Sequence, residues 1–197
     1  IMGSDPRIGR AFLNAGLGYG GYCFPKDIPA FRAQAEQLGY AWPLLDEIVR
    51  LNQESLTSAF EKIKAALWNL EEKRVVLFGL AYKPGTDDIR ESPALKLCQM
   101  LIAGGASVAG FDPKANETAK SQIPELATFD DPYDAAEGAD CVVIATEWPE
   151  FSELDFPRLK RVLSHPIVVD TRNVLDPVVL ADAGFTYIPT GRPPVNL

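Results

Sequence analysis

The sequence predicts an α/β protein: a doubly wound parallel-sheet domain preceded by a long helix and a glycine-rich loop. Three observations lead there. The runs Val75-Val76-Leu77-Phe78 and Cys141-Val142-Val143-Ile144 are apolar without alternation, as in strands covered on both faces. From Lys73 onward such short runs alternate with segments of helical spacing. Before Lys73, one apolar repeat at intervals of three and four continues over residues 43–70.

The first element is the stretch Gly16-Leu17-Gly18-Tyr19-Gly20-Gly21-Tyr22-Cys23-Phe24-Pro25-Lys26-Asp27, which reads as an active-site loop. Glycines without a Cβ let a ligand lie directly on the backbone, and four of them in the six positions 16–21 suggest close approach. Pro25 suits the first turn of a helix through Ile28, Phe31, Ala35 and Leu38, ended by Gly39. Cys23 then lies at the positive end of that helix with Lys26 nearby, a setting that favours a thiolate. The alternative is a glycine-rich turn with a buried, inert cysteine.

The second element, residues 43–70, would be a helix of about 40 Å at 1.5 Å per residue. That exceeds what one small domain needs. Its surplus apolar face is predicted to bridge two bodies and to pair with a second copy of the chain, the alternative being a core helix within a monomer. The division into domains is then 1–70 and 71–197.

In the second domain, strands are predicted at 74–81, 107–111, 140–146 and 167–170, with an edge strand at 185–188. A helix spans 93–103, with Ser92 as N-cap and Pro93 as first residue. Helical or irregular segments fall between, including 132–137 and 156–163. Doubly wound sheets bind ligands beyond the carboxyl ends of their strands. Those ends carry Tyr82 and Lys83, then Asp112, then Thr146-Glu147-Trp148, then Asp170-Thr171-Arg172-Asn173. No Gly-x-Gly-x-x-Gly follows the first strand, so Lys83 would supply by charge what a bare helix N-terminus supplies in that motif. Asp112 stands where an acid often meets a ribose hydroxyl, although Asp112-Pro113 is equally an ordinary turn. The Arg172 guanidinium suits a phosphate or a uracil carbonyl. Each of these charges reads equally well as a solvated rim.

Composition narrows the function. The 197 residues carry a net charge of −8, which argues against nucleic acid. Three cysteines without close spacing and a single histidine, His165, assemble neither a disulfide framework nor a metal site, and fit a reducing cytoplasm. Cys98, Cys141 and His165 are assigned to structure. No apolar run reaches the roughly 18 residues of a membrane span. Ile1 leads into the loop with no element to hold it from the other side, as in a piece of a longer protein.

The run Asp5-Pro6-Arg7-Ile8-Gly9, then Phe12-Leu13, then Gly18-Tyr19-Gly20-Gly21-x-Cys23-Phe24-Pro25-Lys26-Asp27 resembles the catalytic segment of the UDP-glucose/GDP-mannose dehydrogenase family. A second run, Gly79 to Pro93, together with Thr146-Glu147-Trp148, Asp170-Thr171-Arg172-Asn173 and the stretch 187–191, resembles the carboxyl end of the same family. Two departures show: Tyr22 stands where the family often has serine, and Asn14 where some members carry lysine. The resemblance implies a Rossmann-like UDP-sugar-binding domain, a dimer through the central helix, and an absent amino-terminal NAD-binding domain. It implies NAD-dependent oxidation of a nucleotide sugar's C6 alcohol to a carboxylate, UDP-glucose being favoured over UDP-N-acetylhexosamine or GDP-mannose. Carried over by motif position, Cys23 is the nucleophile and Asp27 assists proton transfer, while Lys26 and Arg90 approach NAD. Phe12, Leu13, Gly16, Tyr19, Gly20, Tyr82, Lys83 and Arg172 hold the substrate, and Arg7 reaches that of a neighbouring subunit. Two readings from other classes stay open: a noncatalytic nucleotide-sugar-binding module, and an independent NAD-dependent reductase, against which the missing glycine motif counts.

Overall fold

The structure, a computed structural model, describes residues 1–10 and 12–196. Helix α1 (Cys23–Gln37) and the long helix α2 (Pro43–Leu67) precede a six-stranded sheet. The sheet comprises β1 (Arg74–Phe78), β2 (Ser107–Phe111), β3 (Ala127–Thr128), β4 (Cys141–Ile144), β5 (Ile167–Asp170) and β6 (Thr186–Pro189). Between the strands run α3 (Pro93–Ala103), α4 (Asn116–Gln122), α5 (Pro132–Ala136), α6 (Phe156–Val162) and α7 (Pro177–Asp182). All named strand pairs are parallel, in the order β3-β2-β1-β4-β5-β6. This is the doubly wound Rossmann-like arrangement, with the order reversing between β1 and β4.

Period-two alternation divides each central strand between two cores. Val75 and Leu77 of β1 join Val143 of β4, α3, and the carboxyl-terminal half of α2 through Ala59, Ile63 and Leu67. Val76 and Phe78 join Val142, Ile144, α5, α6 and α7 on the opposite face, with Phe151 and Phe185. Both faces are thus covered, which explains why the strands lack alternation in sequence.

Several helices start at the same signal. Asp131, Asp155 and Asp176 are N-caps whose carboxylates accept backbone N–H bonds from the first turns of α5, α6 and α7, each with a proline in the first two positions. Ser92 holds the N-cap position of α3, but its hydroxyl donates to the Leu80 carbonyl at 2.7 Å instead of capping the helix. Its role is to tie α3 to the end of β1.

The structure shortens some predicted elements. β1 ends at Phe78, not at 81, because after a last bond of Gly79 to the Phe111 carbonyl of β2 at 2.8 Å the amides of Leu80 and Ala81 turn to the Asp112 carboxylate at 2.7 and 3.0 Å. β4 is likewise confined to 141–144. α2 ends at Leu67, since Trp68 adopts a φ of 68° that no helix continues, and Leu70 enters the core separately. β6 is displaced by one residue relative to expectation, to Thr186–Pro189.

Candidate active site

At the carboxyl ends of β1, β4 and β5 lies a cleft of about 650 Å³, lined on the sheet side by Tyr82, Lys83, Glu147 and Arg172. The glycine-rich loop forms its other wall through Phe12, Asn14, Gly16, Gly18, Tyr19 and Gly20, and Phe24 and Ser55 complete it from α1 and α2. A smaller recess of about 330 Å³ opens beside it, sharing Gly16 and Ser55 and lined by Lys62, Thr171 and Thr190.

The loop is held at three points. Leu17 is buried in the core beside α2, at 3% exposure, a burial worth roughly 1.5–3 kcal/mol for a leucine. Asn52, on α2, accepts the Tyr19 N–H at 2.6 Å and donates to the Tyr19 carbonyl at 3.3 Å. Gly18, at φ +106°, lies so close to that carboxamide that a Cβ would overlap it. Further on, the Gly21 N–H donates to the Arg90 carbonyl at 3.0 Å, docking the loop on the turn before α3. Gly16 faces the Arg172 guanidinium, which a side chain at position 16 would displace.

Two buried aspartates shape the sheet side. Asp112 accepts the N–H groups of Leu80, Ala81, Lys114 and Ala115 and the indole N–H of Trp148, at 2.7–3.1 Å. All of its accepting capacity is used and it is 1% exposed, so it is a structural knot and not a ribose ligand. Asp170 does the same for the next loop, accepting the N–H groups of Arg172, Asn173 and Leu175 and the Tyr187 hydroxyl. Thr146 and Thr171 donate to the carbonyls of Ala81 and Ile144 at 2.6 and 2.7 Å. Of Thr146-Glu147-Trp148, Glu147 alone lines the cleft, where it pairs with Arg172.

Cys23 is the first residue of α1 and is exposed. It does not line the cleft itself but stands between two residues that do, Gly20 and Phe24. Lys26 and Asp27 pair with each other at 2.5 Å, both exposed, and the carboxylate raises the lysine above its ordinary value. Tyr22 lies beneath two cations, with the Arg90 guanidinium 4.8 Å and the Lys26 ammonium 5.4 Å from its ring centre. Arg90 is gripped by Asp88, at 2.9 and 2.6 Å, which holds that carboxyl below the usual range. Arg7 is turned to Asp5 at 2.6 Å and stays outside the cleft. Leu13 lines a separate recess of about 190 Å³ with Arg10 and Asn14. Phe12, Gly16, Tyr19, Gly20, Tyr82, Lys83 and Arg172 are therefore brought together, while Arg7, Leu13, Cys23, Lys26, Asp27 and Arg90 lie around or beyond the rim.

No pyrophosphate cradle is built at the end of β1. The amides of Leu80 and Ala81 are taken by Asp112, and that of Tyr82 by the Asp88 carbonyl at 3.1 Å. The residues present do not fit a dinucleotide there, and Lys26 and Arg90 are both engaged with carboxylates. Among the described residues no group of three or more His, Cys, Asp or Glu side chains is placed to hold a metal. No helix among them is long and apolar enough to cross a membrane.

Residues 76–177 match the UDP-glucose/GDP-mannose dehydrogenase family, UDP binding domain, and residues 1–54 match the central domain of that family. The chain belongs to the UDP-glucose/GDP-mannose dehydrogenase family. It is 42% identical over 199 residues to UDP-glucose 6-dehydrogenase of Pseudomonas aeruginosa, a match covering 98% of this chain and 44% of that protein. The fold resembles a UDP-glucose dehydrogenase from Pyrobaculum islandicum at a TM-score of 0.79 and 36% identity, over 87% of this chain and 38% of the other. It resembles a UDP-D-ManNAc dehydrogenase from Pyrococcus horikoshii at the same TM-score and 30% identity, over 97% and 42%. The chain thus spans less than half the length of these relatives.

Motif position within the family did not reveal Asn52 or Ser55 as parts of the site, and it placed Gly18 and Phe24 in the loop motif without a role of their own. Asn52 is half-buried and Ser55 exposed on α2, polar positions where helical spacing carries no sign of function. Glu147 stood in a motif already noted, yet only the burial of its neighbours singles it out.

Proposed function

We propose that this chain supplies the nucleophile and the nucleotide-sugar site of an NAD-dependent dehydrogenase that converts UDP-glucose to UDP-glucuronate. The observation that carries this reading is the cleft itself, in which a glycine loop leading to Cys23 faces two cations, Lys83 and Arg172, at strand ends of the UDP binding domain. Loop amides and glycine surfaces suit close contact with a sugar, and Lys83 and Arg172 suit a diphosphate.

The chemistry of this chain's residues would run through sulfur. The Cys23 thiolate adds to the C6 aldehyde, forming a C–S bond while the carbonyl oxygen takes a proton. Loss of a hydride from C6 to the acceptor, and of the hydroxyl proton to solvent, turns that thiohemiacetal into a thioester. Water then attacks the thioester carbon, the C–S bond breaks, and the carboxylate leaves as the thiol is restored. Asp27, one helical turn along from Cys23, would take the proton from that water, with Lys26 holding it in place. The two oxidations need a hydride acceptor, NAD in this reading, held by parts of the protein outside these residues.

The test is turnover of the complete protein with NAD against UDP-glucose, UDP-N-acetylmannosamine and GDP-mannose. UDP-glucose is expected to be the best substrate, and Cys23→Ala to lower acid production by several orders of magnitude, as loss of a covalent nucleophile elsewhere costs on the order of 10⁶. Cys23→Ser should hold an acyl or aldehyde-level adduct visible by mass spectrometry. Near-normal acid production by Cys23→Ala would remove Cys23 from the reaction.

A further inference from the structure

Glu147 is the one carboxylate among the described residues lining the cleft, and it sits beside the two cations assigned to an anionic ligand. A bare carboxylate there would repel a diphosphate. Its surroundings suggest a different part. Thr146 on one side is tied to the Ala81 carbonyl, and Trp148 on the other to Asp112, so the backbone of Glu147 is fixed from both directions. Arg172 is fixed likewise, by the bond of its own N–H to Asp170 and by the neighbouring Thr171 hydroxyl on Ile144. The two side chains meet as an ion pair between the ends of β4 and β5. Gly16 closes the third side, leaving no room for a Cβ against the guanidinium. Arg172 Nε and Glu147 Oε2 are sealed from solvent: Oε2 faces the guanidinium in the ion pair, and Nε has no aligned hydrogen-bond partner among the described residues. The position of the guanidinium is therefore set by Glu147 and Gly16.

We infer that Glu147 is a positioning residue: it touches no substrate, but holds the Arg172 guanidinium against Gly16, oriented for the anionic part of the nucleotide before the nucleotide arrives. An arginine free in a cleft of this size would have to be ordered at the moment of binding, and Glu147 removes that cost in advance. The inference rests on the nucleotide-sugar reading of the cleft.

Calorimetry of UDP binding to the complete protein, combined with steady-state turnover, tests it through a double-mutant cycle. Wild-type binding of UDP is read first, and its absence would overturn the nucleotide-sugar reading and this inference together. Given binding, Arg172→Ala is expected to weaken UDP by about tenfold or more, as for loss of a charge-assisted contact, and Glu147→Ala by about tenfold. Glu147→Gln, which keeps shape and one acceptor, should recover most of the affinity and serves if the alanine variant does not fold. In the Arg172→Ala background, Glu147→Ala should change UDP affinity by less than about twofold, since its partner is gone. KM for the nucleotide sugar should rise in Glu147→Ala while kcat stays within about threefold, a division that general loss of structure would not give. Unchanged or tighter UDP binding by Glu147→Ala would overturn the inference. So would a further tenfold loss in the double variant, which would make Glu147 a direct ligand.

Discussion

Cys23 differs from Cys98 and Cys141 in its surroundings before it differs in anything chemical. It is exposed at the start of a helix, whereas the other two are buried and desolvation pushes both thiols up to about 12. Ellman's reagent should therefore titrate one thiol of this chain in the native state and three after denaturation. A fast second equivalent in the native protein would contradict the packing described. The same shift bears on stability. In the unfolded chain Cys98 and Cys141 ionise near the ordinary 9.0, while in the fold they stay neutral until about 12. The unfolded state then binds fewer protons between those values, so this contribution is complete below pH 9 and fades as pH rises. The loss is about 1 kcal/mol per thiol by pH 10. Denaturation midpoints of Cys98→Ala and wild type, compared at pH 8 and pH 10, check the sign: the wild type should lose the larger increment.

Among the elements, the strand-end loops depend on carboxylates more than on their own sequence preferences. Asp112 gathers five N–H groups from three segments, and no single replacement satisfies them. Asp112→Ala should cost upwards of about 3 kcal/mol, because buried donors are left without partners. Urea denaturation measures it, and a loss below 1 kcal/mol would show that water reaches those groups. The sequence disclosed Asp112 as a ribose-binding acid or an Asp-Pro turn, and the pair looks the same as Asp131-Pro132 and Asp176-Pro177. Those two cap helices, while Asp112 folds inward because β1 ends beside it. Strands β1, β2, β4 and β5 were legible, since continuous apolar runs mark doubly covered strands. β3, two residues long, was not, because no periodicity fits into Ala127–Thr128. In the site, motif position named seven of the residues that face the cleft across its two walls. It missed Asn52, which is joined to Tyr19 by a contact across 33 positions that no local pattern encodes.

At the scale of the whole molecule, α2 divides into two halves with different partners. Ile63 and Leu67 lie in the core of the sheet, while Leu44 and Leu51 are 61% and 49% exposed, and Phe31 and Trp42 are exposed as well. Such a surplus suits a second copy of the chain. Light scattering at micromolar concentration should give twice the monomer mass, and Leu51→Glu should return it to one. A monomer in both cases would leave the exposed half of α2 to another partner. Asn52, the clasp on the glycine loop, is the residue directly after Leu51 on that same helix. If a second copy packs on α2, the posture of the loop would answer to whether that copy is present. Dilution through the dissociation range should therefore lower specific activity per chain of the complete protein before any unfolding signal appears, and Asn52→Ala, with its loop already released, should be slow at every concentration.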